Sequence, residues 1–380
     1  MAARDVLIVG DTTRSTELRH VVPRAIGDPF VYAEVGGRRV VAIGGFEMEL
    51  VREVVPAEVE VQPLEHFGWM EISRSGIDLY AIWPELCARV ARDLGVSSAV
   101  VPSAFPTAVA DRLRTDGVAI VVDQRFFDDR RRAKRQDEVA HIRGTASAAT
   151  AALAAVRGAL GRSLPGEEGR MLDGEPLTCE RLKALATGIF GDHGVRGDDL
   201  ILAHGPQTAD GHDQGSGQIA NDDVVLCDFF PRHITSGYYA DVTRTFQVGS
   251  GGFPELAAWH AECCEALELA RAMIRPGVDG KDVHRAVSDF FRDRGHPVRL
   301  DAPDGEVLLD GFFHATGHGV GLDVHEAPNL GRTGHLLVAG DVVAIEPGLY
   351  RHGVGGVRVE DLVLVTDSGC ENLTPSPYGL

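Results

Sequence analysis

An α+β chain in two parts, a smaller α/β domain over residues 1–130 and a larger α+β domain over 131–380, is predicted by three observations. Short β-branched runs alternate with helical stretches from Asp5 to about Gln124. A dense mixed-charge run, DDRRRAKRQDE, follows at Asp128–Glu138. Beyond it, long one-faced helices are separated by apolar strand runs that end in or enclose carboxylates. With 380 residues in all, each part is large enough to bury its own core.

In the first part the strand runs are Val6–Val9, Val40–Ile43, Ala99–Val101 and Val118–Val122. The clearest helix is Trp83–Leu94, where Leu86, Val90 and Leu94 recur every four residues and Gly95 stands where a left-handed cap is wanted. No glycine-rich phosphate loop and no pair of catalytic groups occurs here, so this domain is expected to make dimer contacts or to wall off a site built elsewhere. His66, Phe67 and Trp69 read as core or interface aromatics. Asp128–Glu138 suits a solvated linker or a helix start, and marks the boundary. The second part opens with a helix that carries Val139, Ile142, Ala146, Ala149, Leu153, Val156 and Leu160 on one face and ends at Gly161. Two more helices are expected at Pro254–Ile274 and Val283–Arg294.

Thirty-seven basic against 56 acidic side chains leave a net charge of −19, which excludes a phosphate-tracking surface and makes nucleic acid a poor partner. Six cysteines without C-x-x-C spacing read as free thiols in a reducing compartment. The N-terminal apolar run is too short for a signal peptide, and no later run approaches membrane length. The expected location is the cytoplasm, with no membrane partner.

The chemistry collects in the second part. Asp228 ends the apolar run Val224–Cys227, and the alternation in YYADVTRTFQV puts Asp241, Thr243 and Thr245 on one strand face. A hairpin of these two segments turns both aspartates to one space. Val342–Ile345 delivers Glu346 just before a Pro-Gly turn, and Glu360 follows Val359 within the largely apolar VRVEDLVLV, where Arg358 shares its face. A buried carboxylate is costly unless it is paired or metal-bound. The remaining cluster is FFHATGHGVGLDVHE, Phe312–Glu326, with His314, His318 and His325 among glycines that would let an ion or ligand approach the backbone. Four carboxylates brought together repel one another unless cations neutralise them. Two aspartates, two glutamates and an imidazole suit two divalent ions that share bridging carboxylates, and such a pair suits hydrolysis. Oxygen-rich ligands with one imidazole favour manganese, cobalt, iron or zinc.

The ordered set LCDF, YYADVTRT, HATGHGVGLDVHE, AIEPGLY and GVRVED resembles the pita-bread metallopeptidase family of aminopeptidase P, prolidase, methionine aminopeptidase and the metal-free creatinases, over about residues 140–375. The first part is similar to the N-terminal domain of the creatinase, prolidase and aminopeptidase P branch. The resemblance implies a curved antiparallel sheet flanked by helices, and two divalent ions with manganese first. By position, Asp228 would chelate one metal, Asp241 and Glu360 would bridge the two, and His318 and Glu346 would complete the second site. Glu346 would also shuttle the proton, His325 would bond the substrate carbonyl, His314 would line the pocket, and Arg358 would orient the carboxylates. A further substrate-side histidine corresponds to His212, with His204 competing for the place. His233, His335 and His352 match no motif and are expected at the surface. The family also implies a homodimer and a short peptide or small amino-acid-derived substrate.

Two departures bear on the substrate. Asp228 and Asp241 stand further apart than is usual in the family, so Pro231–Ser236 is expected to enlarge the hairpin loop near the site, and Pro297–Gly311 reads as an insertion before His314. The implied activity is hydrolysis of the bond preceding proline by a metal-bridging hydroxide, as in an Xaa-Pro dipeptidase or aminopeptidase. The alternatives are a hydrolase or lyase of a small non-peptide metabolite, as in C–N hydrolysis by an ectoine hydrolase, and an inactive binding scaffold.

Overall fold

The computed structural model describes residues 4–251 and 253–380. Its contacts divide into two units, one ending at Arg131 and including Thr235–Gly237, the other made of Arg132–Ile234 and Tyr238–Leu380.

The first unit is built on a six-stranded sheet of β1 (Val6–Gly10), β2 (Phe30–Val35), β3 (Arg38–Ile43), β4 (Val59–Pro63), β5 (Ser98–Val101) and β6 (Ala119–Val122), in the order β4-β3-β2-β1-β5-β6. The first three strands pair antiparallel, and β4, β5 and β6 are added in parallel. Both faces of β1 are covered. Leu7 and Val9 join a core with Leu86, Val90 and Leu113, while Val6 and Ile8 join another with Leu18, Phe30 and Phe127, which is why the strand reads as an unbroken apolar run. Helix α1 (Leu79–Asp93) starts four residues before the expected Trp83, capped by Asp78, and Gly95 adopts φ 74° as its position requires.

The charged run is not a solvated linker. Its first half closes helix α2 (Gln124–Arg132), and Arg131, Arg132 and Lys134 turn inward. Arg132 is buried against Asp341 at 2.7 Å, and Lys134 meets Glu326 at 2.5 Å with both side chains nearly inaccessible. Such pairs hold only when both charges stay matched, since removing one partner leaves a buried ion.

In the second unit, α3 (Gln136–Arg162) runs through Gly161 with its expected face buried, and α4 (Cys179–Asp192) packs beside it. These helices cover one side of a sheet formed by β7 (Ile201–His204), β8 (Asp223–Phe229) and β9 (Val242–Val248), through Val225, Cys227, Phe229, Val242 and Phe246. Period two therefore turns Asp228 and Thr243, which are cross-strand partners, to the opposite side. Helices α5 (Pro254–Met273) and α6 (Gly280–Asp293) cover strands of a five-stranded sheet, β10 (Gly317–Gly319), β11 (Glu326–Leu330), β12 (Val342–Ile345), β13 (Asp361–Val365) and β14 (Cys370–Asn372), ordered β11-β10-β12-β13-β14. A small sheet contains the hairpin of Gly348–Arg351 with Gly355–Arg358.

Several local expectations change here. Asp228 lies inside β8 rather than past its end. His318 is the middle residue of a strand, not of a loop. The glycines beside it do not keep a path open to the backbone: a Cβ at Gly317 would collide with the Ala344 carbonyl, and one at Gly319 with the Ala327 carbonyl, so they let strands approach one another. VRVEDLVLV is two strands in different sheets, broken at Val359–Glu360. Pro231–Ser236 is held to a neighbouring segment, where Arg232–His233 pairs with Val195–Arg196. His233 and His335 are half-buried rather than exposed, and His335 Nδ1 accepts from Asn329 N at 3.0 Å; His352 is exposed.

Candidate metal centre

Each strand break or pairing described above delivers one polar side chain to a common point. The β8–β9 hairpin brings Asp228 and, one residue before β9, Asp241. Strand β10 brings His318, the end of β12 brings Glu346, and the break before β13 brings Glu360, whose backbone N–H donates to Thr243 O at 3.0 Å. Donor atoms of Asp241, His318 and Glu360 all lie within 4.8 Å of one another. His318 Nε2 stands 3.7 Å from both an Asp241 and a Glu346 carboxylate oxygen.

The donor chemistry fits divalent cations. His318 Nδ1 is 3.1 Å from the Gly319 carbonyl, which only accepts, so this nitrogen carries the proton and the Nε2 lone pair faces the carboxylates. At 3.7 Å that lone pair is beyond hydrogen-bond reach of either oxygen, a spacing suited to groups that share a cation rather than a proton. Asp228 Oδ2 accepts from Arg358 at 2.5 Å, while its Oδ1 is buried with no hydrogen-bond partner among the described residues. Burial, then the neighbouring carboxylates, pushes the Asp241 and Glu360 carboxyls well above their ordinary range. Glu346 is pushed up to about 7 by burial, with Arg358 opposing and Asp228 adding. This crowding of like charge is what bound cations relieve. The His318 imidazole is lowered to about 4 by burial and by His325, so its ring is neutral and ready to ligate.

Behind these candidate ligands lies a hydrogen-bonded layer around Arg358. Its guanidinium donates to Asp228, to the Tyr350 hydroxyl at 3.0 Å and to Thr243 Oγ1 at 3.3 Å, and Thr243 in turn donates to Glu360 at 2.7 Å. Burial works against the Arg358 charge, yet Tyr350, Asp228 and Glu346 hold it firmly protonated. One cation thus orients candidate ligands from two segments. Thr243 and Tyr350 were not singled out in the sequence. Thr243 shares the Asp241 face, which is a usable signal, whereas Tyr350 is brought in by the Gly348–Arg351 hairpin and carries no local mark.

The histidines divide. His325 is exposed, with its ring 4.2 Å from that of His318 in an edge-on arrangement. His314 is half-buried. Its Nδ1 faces the Ala315 carbonyl at 2.8 Å and its Nε2 the Tyr350 hydroxyl at 3.0 Å, so both ring nitrogens are used within the protein. Burial, then Arg358, lowers its imidazole to about 3. His212 is exposed on the loop between β7 and β8, close enough to His314 and His325 for its charge to be felt at both. His204 does not reach the centre, being held by Asp223 at 2.7 Å.

The profile of metallopeptidase family M24 matches residues 140–367, more than half of the chain. The chain belongs to metallopeptidase family M24. Among curated relatives, the uncharacterized peptidase YqhT of Bacillus subtilis is 35% identical over 184 residues, 48% of either chain. The Xaa-Pro dipeptidase of Pyrococcus furiosus is 33% identical over 178 residues, 46% of this chain and 47% of that one. The chain spans about half the length of the curated relatives it matches. Among solved structures, the Xaa-Pro dipeptidase from Bacillus anthracis superposes with a TM-score of 0.79 at 22% identity, covering 99% of this chain and 95% of that one. The X-Pro aminopeptidase from Thermotoga maritima gives a TM-score of 0.77 at 21% identity, over 100% and 98%. The fold of this M24 chain is therefore α+β with the pita-bread architecture. Among its described residues no helix is long and apolar enough to cross a membrane.

Proposed function

We propose that this M24 chain hydrolyses the peptide bond preceding proline in short peptides, with Asp228, Asp241, His318, Glu346 and Glu360 holding two divalent ions, manganese first. The observation that carries the hydrolytic reading is the convergence of Asp241, His318 and Glu360 within 4.8 Å, beside an unpartnered buried oxygen of Asp228. The preference for proline is supported by relatives and fold neighbours named Xaa-Pro dipeptidase or X-Pro aminopeptidase.

When bound, the ions supply a Lewis acid for the scissile carbonyl and a hydroxide equivalent near neutral pH. The chain's residues do the rest. Glu346, partly open to solvent, accepts the proton of the attacking water and returns it to the leaving amine. His325 and His212 approach from the substrate side and donate to the carbonyl oxygen as charge develops there. Tyr350 donates to His314 Nε2 and accepts from Arg358, which fixes the wall beside them. The six cysteines are free, in keeping with a reducing cytoplasm, and a homodimer completes the proposal.

The test is a panel run on manganese-loaded protein with Xaa-Pro dipeptides, Xaa-Pro-Yaa tripeptides, peptides without proline, and small cyclic or N-acylated amino acids. Release of proline or of the N-terminal residue from the first two classes alone is the expected result. Turnover confined to the non-peptide compounds overturns it.

A further inference from the structure

His212 sits on a long connection between β7 and β8, and something must hold that connection in place. Gly211 lies against the centre, where a Cβ would come 3.7 Å from Arg358 Nη1. The neck of the loop is knotted by side chains. His204, the last residue of β7, has Nδ1 2.7 Å from Asp223 Oδ2 and Nε2 3.2 Å from the Ser216 carbonyl. The Ser216 carbonyl also accepts from Gln207 Nε2 at 3.1 Å, and the Ser216 N–H donates to Gln207 Oε1 at 3.2 Å. Lys183 donates to Gly215 O at 2.8 Å, and the Gly217 N–H donates to Glu180 at 3.1 Å.

His204 is the member that ties the end of β7 to the last turn of the loop and to the following strand. Asp223 Oδ2 accepts from the Ala220 N–H as well, so it is an acceptor toward both neighbours, and a carbonyl only accepts. Both imidazole nitrogens therefore donate, which makes the ring a cationic clamp with charge-assisted bonds. The bond to Asp223 raises the His204 imidazole above its ordinary value.

We propose that His204 is a positioning residue: by clamping the Ser216 carbonyl to Asp223 it closes the neck of the 205–217 loop and thereby sets where His212 stands against the reacting carbonyl. The proposal rests on the substrate-side role assigned to His212 above. A misplacement of about 1 Å at a group acting on the transition state costs up to about 100-fold in rate, and the loss falls on kcat rather than KM.

A double-mutant cycle tests it, using Ala-Pro and manganese-loaded protein, together with hydrogen exchange of the 205–217 amides. His204→Ala is expected to lower kcat about 10-fold with KM and metal content unchanged, to speed exchange at residues 215–217, and to have no further effect in a His212→Ala background. His204→Gln keeps one donor and is expected to recover part of both readouts, which separates positioning from a general loss of fold. Equal effects of His204→Ala with and without His212 overturn the positioning role, as does unchanged exchange in the loop. A silent His212→Ala overturns the role given to His212, and the positioning proposal with it. Absence of Ala-Pro cleavage by the unsubstituted protein overturns the substrate reading, and the exchange measurement still decides whether His204 closes the neck.

Discussion

Glu85 and Glu360 are the same side chain in opposite circumstances. Glu85, on α1 of the first unit, is about a fifth exposed and sits between two cations, with Arg89 at 3.1 Å and Arg112 at 2.8 Å. Glu360 is buried, its carboxylate receives the Thr243 hydroxyl, and its other close charges include Asp228, Glu346 and Asp241. In the first case the fold supplies the counter-charge. In the second the fold assembles an excess of negative charge that the Arg358 guanidinium does not balance. A protein that keeps such a cluster gives up stability there to gain affinity for a cation. Replacing Glu by Gln at the two places keeps shape and removes one charge, so the two substitutions separate these circumstances.

The largest effect is expected for Glu360→Gln. Loss of one of the carboxylates proposed to be shared is expected to lower kcat/KM about 1000-fold, or about 4 kcal/mol of barrier, and to reduce the manganese bound by the loaded protein, measured by elemental analysis. The metal-free variant is expected to be as stable as the unsubstituted metal-free protein or more so, because the change relieves repulsion instead of breaking a pair. A marked drop in the urea midpoint of the metal-free variant contradicts the comparison. Arg358→Met stands in the middle. It leaves all five proposed ligands in place but removes the donor to Asp228, Tyr350 and Thr243, and an outer-layer partner of this kind costs about 10- to 100-fold in metal affinity or activity. Manganese titration by calorimetry reads the first, and a weakening shared with Tyr350→Phe locates the effect in this layer.

The difference between the two glutamates was partly legible in the sequence. Asp228, Asp241 and Glu346 stand beside apolar strand runs, where an acid is conspicuous, and their meeting follows from one hairpin and one strand end. What local pattern did not carry is the long-range switch of partners. Glu360 leaves its strand because Val359 N–H donates to Pro347 O and Glu360 N–H to Thr243 O, the second a bond to a residue far away in the chain. The glycines around His318 were read as room for a ligand, yet the bodies that need the room are the carbonyls of Ala344 and Ala327. Strands Phe30–Val35 and Val59–Pro63 lie outside the runs expected from the sequence, and pairing with β1 and β3 holds them. Arg132 and Lys134 lie in a run of mixed charge whose solvated reading failed because Asp341 and Glu326, some 200 residues away, bury and neutralise them.

The smallest effect is expected for Glu85→Gln. Slight burial raises the Glu85 carboxyl, but the bonds from Arg112 and Arg89 outweigh it and hold the group below its ordinary value. A carboxyl with a depressed folded value contributes stability above its unfolded value, about 4.3, and loses that contribution as pH falls through the folded value. The pair is near the surface, where screening and side-chain entropy leave about 0.5 kcal/mol. Glu85→Gln is therefore expected to lower the urea unfolding free energy by about that amount at pH 7, with the gap narrowing toward pH 4 and with kcat and manganese content unchanged. A gap that widens as the pH falls means that Glu85 is not held by its arginines. A change in manganese content means that the contrast with Glu360 is not one of local surroundings.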